Sequence, residues 1–516
     1  MAIRIAIVGA GSLGFTRRLV QDVLTVPELR DTTFALTDIS SRNLGMIARI
    51  LQRDLAANRL PARVAATTDR RRALAGADYV INTARVGGLE AFKLDIDVPL
   101  TYGVDQCVGD TLCAGGILYG QRGIACVLDW CRDIREVARP GALFLNYGNP
   151  NAMLTWAANR HGGVRTIGLC HGVQGGHWQI CKVIEGIVNR WRPPESKGFV
   201  PVDMKDVDIV CAGINHQTWY VKVQYRGEDW TGRLLAGFER HPEFRETEKV
   251  RIDVLRRFGY YSTESNGHLS EYVAWYRKRP AEIPQWIDMR SWILGETGGY
   301  LRVCTEGRNW FKSEYPRILA EKPWSLAEAR RSQEHGSYII EGLETGRIYR
   351  GHFNVVNGGC IANLPPDCIV EVPGYVDRNG INIPPVGELP AGCAAVCQQS
   401  VNVQRLAVEA AVRGDAFLLQ QAMLLDPLVG ACCTPPEIAQ MTDRMLVAQA
   451  RWLPQYRAAI PAARRRLAAG PNLARFGTQG AARKAAAGVA KVAARTAATE
   501  KKRRAGKKLD IAEPEG

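Results

Sequence analysis

A glycine-rich turn near the start of the chain constrains the possible folds more than any other feature of the sequence. Its glycines, Gly9, Gly11 and Gly14, have the spacing Gly-x-Gly-x-x-Gly, and a β-rich run at residues 3–8 precedes them. A helical pattern follows directly, so Gly9 would permit a tight turn, Gly11 a close backbone approach to a pyrophosphate, and Gly14 close helix–strand contact. The pattern predicts a Rossmann dinucleotide-binding fold, with the pyrophosphate at the helix N-terminus. The alternative is a glycine-rich turn in another kind of α/β protein.

The end of the second predicted strand indicates which dinucleotide would bind. The run at residues 33–37 ends at Asp38. A carboxylate at this place can accept a hydrogen bond from a ribose 2′-hydroxyl and disfavours a 2′-phosphate. Ser40 and Arg42 lie nearby and leave NADP open as an alternative. We therefore expect NAD as the cofactor.

Strands and helices alternate over the first part of the chain, which predicts βαβ units and a parallel sheet. Beyond the first two strands, further candidate strands lie at residues 77–82, 142–146 and 164–169. Helical patterns lie at about 41–57 and 116–138. The expected fold class is α/β, with an N-terminal Rossmann domain of the lactate/malate dehydrogenase type at residues 1–200.

The texture of the sequence changes after a loop rich in proline and charge at about 190–207. A strand candidate at 208–212, two Gly/Pro-rich strands at about 353–374 and helices from 390 to about 458 follow. These elements predict a second, α+β domain at residues 201–460, which would carry the substrate.

The positive charge of the chain is concentrated in its last residues. The formal net charge is +15, but residues 461–516 hold 14 Lys+Arg against 4 Asp+Glu, a net of +10, which leaves about +5 for the preceding body. We expect this Ala/Lys/Arg-rich tail to be disordered, with a lone helix beyond residue 470 as the alternative. It suggests a nucleic-acid-associated protein as an alternative function, but that function would also need phosphate contacts from the nearly balanced body.

The sequence predicts neither a signal peptide nor a membrane-spanning segment. The apolar run at the N-terminus is too short for a signal peptide, and no stretch of about 18 apolar residues occurs. The 14 cysteines are scattered without a repeated spacing. We therefore expect a cytoplasmic protein with free thiols, with no membrane partner.

Polar and metal-ligating residues follow the later predicted strands. Asn149 follows one strand, the pair Cys170-His171 follows the next, and His216 ends the strand at 208–212. The carboxyl ends of strands in open α/β sheets bind ligands, and a thiolate with an imidazole suits a borderline-soft divalent metal. Two ligands are too few for a structural zinc site, so a bound substrate would have to complete the shell. Taken singly, Asn149 also fits a β-turn and Cys170 a small buried apolar residue.

The segment 258–268 places several side chains capable of acid or base chemistry within eleven residues. It fits a surface turn between helices equally well.

Together these segments resemble the NAD- and metal-dependent family 4 glycoside hydrolases, and most of all their α-galactosidase branch. The resemblance runs from residue 3 to about 456. Its ordered motifs are the glycine-rich turn and residues 82–88, 109–116, 149–150, 170–171, 213–216, 258–268, 354–365 and the helices around 401–428.

The resemblance implies a redox mechanism in place of the displacement used by most glycosidases. NAD takes a hydride from the sugar's C3, and the resulting ketone acidifies the C2 proton. A base removes that proton while the metal stabilises the enediolate, and the glycosidic oxygen leaves. Water then adds and the hydride returns, so NAD is regenerated in each turnover. Manganese is the first expectation for the metal.

The resemblance also assigns roles to residues of this chain. Cys170 and His216 match the metal ligands, and His171 stands at the position of the general acid. The base would come from the segment 260–268, where Tyr261 is favoured and Glu264 is the next candidate.

Three further assignments concern the substrate and the cofactor. Asp110 would strengthen the base, Asn149 and Arg85 would contact the sugar, and Asn82 would lie at the cofactor. Gly172 departs from the serine that the α-galactosidases often carry after Cys-His, which leaves α-galacturonidase, or another α-uronidase, as the alternative within the family.

An alternative outside the family is an NAD-dependent 2-hydroxy acid dehydrogenase. It would share the first 150 residues, but it would need an arginine for the substrate carboxylate and a His–Asp pair. It would also consume NAD, whereas the glycosidase only cycles it. The expected partners are a small glycoside substrate and further copies of the chain in a homo-oligomer, with nucleic acid contacted only through the basic tail.

Overall fold

A computed structural model describes residues 2–289, 291–307 and 310–477 of the chain. Its central feature is one twisted sheet of twelve strands. The strands are β1 (Arg4–Val8), β2 (Thr33–Thr37), β3 (Arg63–Thr67), β4 (Tyr79–Asn82), β5 (Leu143–Asn146), β6 (Thr166–Gly168), β7 (Val207–Ile214), β8 (Gln217–Tyr225), β9 (Glu228–Asp229), β10 (Tyr349–Val356), β11 (Ile369–Asp377) and β12 (Gly380–Asn382).

The first six strands are parallel and have the order β3-β2-β1-β4-β5-β6. This is the strand order of a Rossmann fold, so the predicted fold class is confirmed. Every residue of β4 and β5 is buried, because helices cover both faces of a parallel sheet.

The remaining strands extend the same sheet with antiparallel pairing. β10 pairs with β6, where Asn354 lies opposite Gly168, and β11, β7, β8 and β9 follow in that order. The predicted division near residue 200 falls between β6 and β7, and one continuous sheet crosses it. One large cluster of buried apolar side chains also includes residues from both halves of the chain.

Helices pack on both faces of the sheet and form the C-terminal part of the molecule. Those of the first half are α1 (Phe15–Leu24), α2 (Ser41–Ala57), α3 (Arg70–Leu74), α4 (Gly88–Thr101), α5 (Cys113–Val137), α6 (Asn151–Arg160) and α7 (Gly172–Val188). Those between β9 and β10 are α8 (Leu234–Arg240), α9 (Phe244–Thr247), α10 (Lys249–Phe258), α11 (Asn266–Tyr272), α12 (Ile283–Trp286), α13 (Gly299–Gly307), α14 (Trp310–Ala320) and α15 (His335–Thr345). The last are α16 (Ala391–Arg413), α17 (Ala416–Leu425), α18 (Pro427–Cys432), α19 (Pro435–Ala448) and α20 (Ile460–Ala469).

The C-terminal region begins as ordered structure and not as a tail. Residues 460–469 form α20, which packs on α19, and Arg466 makes an ion pair with Asp443. The prediction of a disordered segment starting at residue 461 is therefore wrong for its first part, because Ile460 and Ala463 are buried against the helical core. Most of the basic tail, residues 478–516, lies outside the described residues. Within the described ranges, no helix has both the length and the apolar character needed to cross a membrane.

Candidate active site

The carboxyl ends of the parallel strands and the turn between β7 and β8 meet at one edge of the sheet. Cys170 lies two residues after the end of β6, and His216 lies in the turn with a positive φ of 62°. Two groups of potential metal ligands share His216 there: Cys170–His216–Glu264 and Asp110–His216–His268. In each group the candidate ligand atoms all lie within 4.8 Å of one another. The structure therefore brings together the predicted metal ligands.

His216 is oriented by bonds to one of its ring nitrogens. Its Nδ1 lies 2.9 Å from the Thr111 hydroxyl and 3.4 Å from that of Tyr272, so Nε2 is left toward Glu264, whose Oε2 is 4.0 Å away. Burial lowers the pKa of His216 to about 4. The ring is thus neutral, which is the form that binds a metal.

Cys170 is held beside the first turn of α7. The backbone N–H of Gly172 donates to its sulfur at 3.4 Å. Burial raises the pKa of the thiol well above its usual value, and the carboxylates of Glu371 and Glu264 add to the effect. A divalent cation bound at the sulfur would reverse this preference. The sulfur, imidazole and carboxylate donors fit a divalent metal, and the buried Oε2 of Glu264 has no hydrogen-bond partner among the described residues.

Asp110, Asn149 and Arg85 are also brought together, beside His216. The Asp110 carboxylate accepts hydrogen bonds from the Asn149 amide nitrogen and the Thr111 hydroxyl, each at 2.9 Å, and lies 3.9 Å from the Arg85 guanidinium. Burial acts to raise the pKa of Asp110, but His268, His216 and Arg85 outweigh it and hold that pKa below its usual value. Asp110 is therefore an ionised carboxylate.

Arg85 is fixed by aromatic rings. Its guanidinium carbon lies 4.5, 5.0 and 5.3 Å from the ring centres of Phe92, Tyr119 and Tyr300. Such a cage holds a cation in place without neutralising it.

Tyr261 is not brought to this site. Its ring stacks on Phe238 with the centroids 4.1 Å apart, and the Arg251 guanidinium lies over it at 4.2 Å. The hydroxyl donates to Gln179 Oε1 at 2.8 Å, and burial raises its pKa well above 10. The expectation of Tyr261 as base is corrected, because the side chain belongs to a second cluster of buried apolar side chains, separate from the large one described above. Glu264, the second candidate from this segment, does reach the metal ligands.

His268 is a site residue to which the sequence motifs assign no individual role, although it lies in the segment 258–268. It stands in α11, one turn before Tyr272, and its ring is 5.1 Å from that of His216. Its Nδ1 lies 2.7 Å from the Ser265 hydroxyl, which also caps the helix. The helical spacing of positions 268 and 272 could have indicated a shared face, but not what that face meets.

His171 lies at the open side of the site. Its side chain is 53% exposed, and its Nδ1 is 3.7 Å from Oε1 of Glu334. Burial raises the pKa of Glu334. Its Oε2 is buried without a hydrogen-bond partner in the part of the chain that the structure covers. The predicted general acid thus has access to both solvent and a carboxyl group.

The glycine-rich turn has the geometry of a dinucleotide site at two of its three glycines. Gly9 has a φ of 80°, and a Cβ there would overlap the backbone of Ala84. The Gly11 N–H donates to Oδ2 of Asp38 at 2.8 Å. The turn is therefore in direct contact with the residue that is predicted to bind the ribose. The expected close contact at Gly14 is wrong: a Cβ there would meet no atom of the described residues within 4 Å, and Gly14 is the N-cap of α1.

Asn82 links the ends of two strands. Its amide nitrogen donates to Asn146 Oδ1 at 2.8 Å, and its amide oxygen accepts the N–H of Ala84 at 2.9 Å. The side chain is fully buried. Both ends of this amide are therefore satisfied within the protein, so Asn82 shapes the edge of the predicted NAD site.

Fold and site together define a Rossmann-type dinucleotide-binding protein with sulfur, nitrogen and oxygen metal donors at the carboxyl edge of its sheet. Residues 4–185 match the family model described as family 4 glycosyl hydrolase, and residues 211–429 match that of the family 4 glycosyl hydrolase C-terminal domain. The chain belongs to glycosyl hydrolase family 4.

Two relatives carry the same activity name. The chain is 61% identical over 466 residues to an alpha-galactosidase of Rhizobium meliloti (strain 1021), covering 90% of this chain and 92% of the relative. It is 33% identical to an alpha-galactosidase of Bacillus subtilis (strain 168), covering 88% of this chain and 100% of the relative.

Solved structures share the fold. The Bacillus subtilis protein lplD superposes with a TM-score of 0.74 at 26% identity, covering 86% of this chain and 100% of that one. A 6-phospho-alpha-glucosidase from gut microorganisms, solved in complex with NAD and Mn²⁺, has a TM-score of 0.70 at 21% identity, covering 88% and 99%.

Proposed function

We propose that this enzyme hydrolyses α-galactosides by a redox elimination and addition mechanism, using NAD and a divalent metal ion, with manganese expected. The observation that carries the proposal is the 61% identity to an alpha-galactosidase over nine-tenths of the chain. The convergence of Cys170 and His216 at the edge of the Rossmann sheet supports it, since a plain dehydrogenase would have no use for this pair.

The cofactors and the side chains would divide the chemistry. When bound, NAD would accept and return a hydride at the sugar ring, and the metal would act as a Lewis acid on sugar oxygens. The residues that would hold the metal are Cys170 and His216. Those that would hold NAD are Gly9, Gly11 and Asp38, whose carboxylate disfavours a 2′-phosphate.

The geometry supports His268 as the base. In the tautomer whose Nδ1–H donates to the Ser265 hydroxyl, Nε2 carries the lone pair. That nitrogen is free to take a proton from C2 of the sugar. The Asp110 carboxylate, in the same cluster, would stabilise the imidazolium that forms.

His171 is proposed to donate the proton to the leaving oxygen, because its half-exposed position leaves room for an aglycone. Glu334, 3.7 Å away, would orient its ring. Asn149 and Arg85 would bind sugar hydroxyls: the Asn149 amide nitrogen is used by Asp110, which leaves its oxygen as an acceptor. Arg85 would donate from its aromatic cage.

A panel of nitrophenyl α-glycosides tests the proposal, with NAD, Mn²⁺ and a thiol reductant present. We expect the α-galactoside to be cleaved in preference to the α-galacturonide and the α-glucoside. Activity should disappear after the metal and NAD are removed, and should return when both are restored. Preference for the galacturonide would select the uronidase alternative, and net NADH formation from a 2-hydroxy acid would select the dehydrogenase.

The setting of the enzyme is proposed on chemical grounds. A thiol ligand requires a reducing compartment, so we place the protein in the cytoplasm. A homo-oligomer remains the proposed assembly. A Rossmann unit at 1–200 and a substrate unit at 201–460 remain the proposed division. Full glycosidase activity after truncation at about residue 477, with no dependence on nucleic acid, would show that the basic tail is dispensable.

A further inference from the structure

Glu264 is placed against the metal ligands by the strand next to it. The residue before it, Thr263, donates its backbone N–H to Thr218 of β8 at 2.9 Å, and the Thr218 N–H donates to the Thr263 hydroxyl at 3.1 Å. These bonds hold the segment to the same hairpin whose turn carries His216. The backbone at Glu264 is therefore held beside the turn that carries His216, and the Glu264 Oε2 lies 4.0 Å from Nε2 of that ring.

The group formed by Cys170, His216 and Glu264 brings together atoms that could bind a metal ion. Oε2 of Glu264 is buried and has no hydrogen-bond partner within the described residues. Nε2 of His216 lies 4.0 Å from it, while Nδ1 of that ring is occupied by Thr111. The Cys170 sulfur belongs to the same group. An unpartnered carboxylate oxygen in a buried place is costly unless something else binds it.

Gly172 leaves the space that this carboxylate occupies. A Cβ at position 172 would overlap Oε2 of Glu264 and would lie 3.6 Å from the Cys170 sulfur. Any residue with a side chain would thus displace the carboxylate.

The other group of potential ligands, Asp110, His216 and His268, is less suited to a cation. Asp110 already accepts bonds from Asn149 and Thr111, and Nδ1 of His268 is taken by Ser265. Nε2 of His268 is left for the proton transfer proposed above, so the donor atoms that remain for the metal are those of Cys170, His216 and Glu264.

From this geometry we propose that Glu264 is a third protein ligand of the catalytic metal, and that Gly172 is the residue that admits it. The inference rests on the proposed function, because it assumes the metal held by Cys170 and His216. Three protein ligands with open positions for substrate are typical of catalytic metal sites, whereas two hold an ion poorly. A thiolate and a carboxylate also balance the two charges of the ion, and carboxylate donors favour Mn²⁺.

Equilibrium binding of Mn²⁺ to the full-length, metal-free protein with NAD present tests this assignment. Free Mn²⁺ is followed by its EPR signal in the wild type and in the variants Glu264→Gln, Cys170→Ser and His216→Ala. We expect each substitution to raise the Kd at least about tenfold, since even outer-shell changes cost about 10–100-fold. Gly172→Ala should weaken binding similarly, and the Glu264→Gln/Gly172→Ala double variant should be no weaker than either single variant.

The matched control is Glu334→Gln, which removes another buried glutamate near His171 that is not in the cluster. Its Kd should stay within about twofold of the wild type. Co²⁺ loaded in place of Mn²⁺ should show altered visible d–d bands in Glu264→Gln and unaltered bands in Glu334→Gln. Glu264→Asp, which keeps a carboxylate, should recover part of the affinity, and melting curves of the apoproteins identify any unfolded variant.

Two results would overturn the assignment of Glu264 alone. The first is wild-type Mn²⁺ affinity in Glu264→Gln together with weakened binding in Cys170→Ser and His216→Ala. The second is a loss of Mn²⁺ affinity in Glu334→Gln as large as that in Glu264→Gln, which would indicate a charge effect. Wild-type affinity in Cys170→Ser and His216→Ala would instead refute the metal site of the proposed function.

Discussion

Cys170 is subject to opposing influences at the residue scale. Burial favours the thiol, while the Gly172 N–H, at the N-terminus of α7, and a bound divalent ion favour the thiolate. We expect Cys170→Ser to lower kcat/KM by roughly 100-fold or more, because serine is a much poorer ligand for the ion. NAD affinity, measured by fluorescence titration, should stay close to that of the wild type, since Cys170 does not belong to the glycine-rich turn. A parallel loss of NAD binding would contradict the separation of the two sites.

The choice of base is tested by isotope exchange. If Nε2 of His268 takes the C2 proton, sugar turned over in deuterium oxide gains deuterium at C2, and His268→Ala should suppress that incorporation. Tyr261→Phe should leave it intact and cost only about 1 kcal/mol of stability, from the lost hydrogen bond to Gln179. NMR of the product measures both. Suppression by Tyr261→Phe in a folded variant would return the role to Tyr261, and C2 without deuterium in the active wild type would exclude the redox mechanism.

The residues of the site were predictable where strand ends place them. Cys170 follows a strand whose carboxyl end must lie at the ligand edge of the sheet, so its position follows from topology alone. Tyr261 was not predictable in this way, because neighbouring positions of an irregular segment point in different directions. Tyr261 enters an apolar core, while Glu264 and His268 turn toward His216.

At the scale of elements, α11 is joined to the loop that carries Asp110. Glu271 of α11 accepts the backbone N–H groups of Cys107, Val108 and Gly109 at 2.6–2.9 Å. One helix thus presents His268 and holds the loop that places Asp110 beside it.

Glu271→Ala should therefore be strongly destabilising. It leaves three buried N–H groups without an acceptor, which costs about 3 kcal/mol or more. Chemical denaturation followed by circular dichroism measures the loss in free energy of unfolding. Glu271→Gln keeps one acceptor oxygen and should lose less. Equal stability of the alanine variant would show that the loop is held by other contacts.

The elements that the sequence predicts well are those buried on both faces. β4 and β5 are short apolar runs between helices, and both are where the pattern indicates. β3 (Arg63–Thr67) gives no such signal, because it is an edge strand whose residues are exposed or half-buried. Pairing with β2 stabilises β3 as a strand, and its own composition does not.

At the scale of the whole molecule, the continuity of the sheet could not be predicted from the sequence. It depends on the pairing of β6 with β10, in which Gly168 lies opposite Asn354. A Cβ at Gly168 would overlap the Asn151 side chain and crowd Asn354, so the close approach requires glycine. No local pattern connects two positions so far apart along the chain.

Buried titratable groups give the whole molecule a stability that depends on pH. Burial lowers the pKa of six histidines, to about 4 for His177, His216, His241, His268 and His335 and to about 3 for His352. Their unfolded pKa is about 6.5, so the folded state binds fewer protons, and stability falls as pH drops from about 6.5 toward 4.

Buried carboxyl groups whose pKa is raised have the opposite effect. Burial raises the pKa of Glu371 to about 8, of Glu271 to about 7 and of Asp426 to about 6. The folded state keeps these protons longer than the unfolded state, so stability is lost as pH rises through these values. We therefore expect the melting temperature, measured by calorimetry from pH 8.5 to 4.5, to be highest between about pH 6 and 7.

His177 offers a matched variant for the acid side of this profile, because it lies outside both ligand clusters and its Nε2 is 2.9 Å from the Val207 carbonyl oxygen. Glutamine at this position can still donate to that carbonyl but does not titrate. His177→Gln should therefore lose less stability between pH 6.5 and 5, by about 1–2 kcal/mol, since each unit of pKa difference is worth about 1.4 kcal/mol. At pH 7.5 the two proteins should differ little. An unchanged acid limb in His177→Gln would show that charging of His177 does not contribute to the loss of stability in acid.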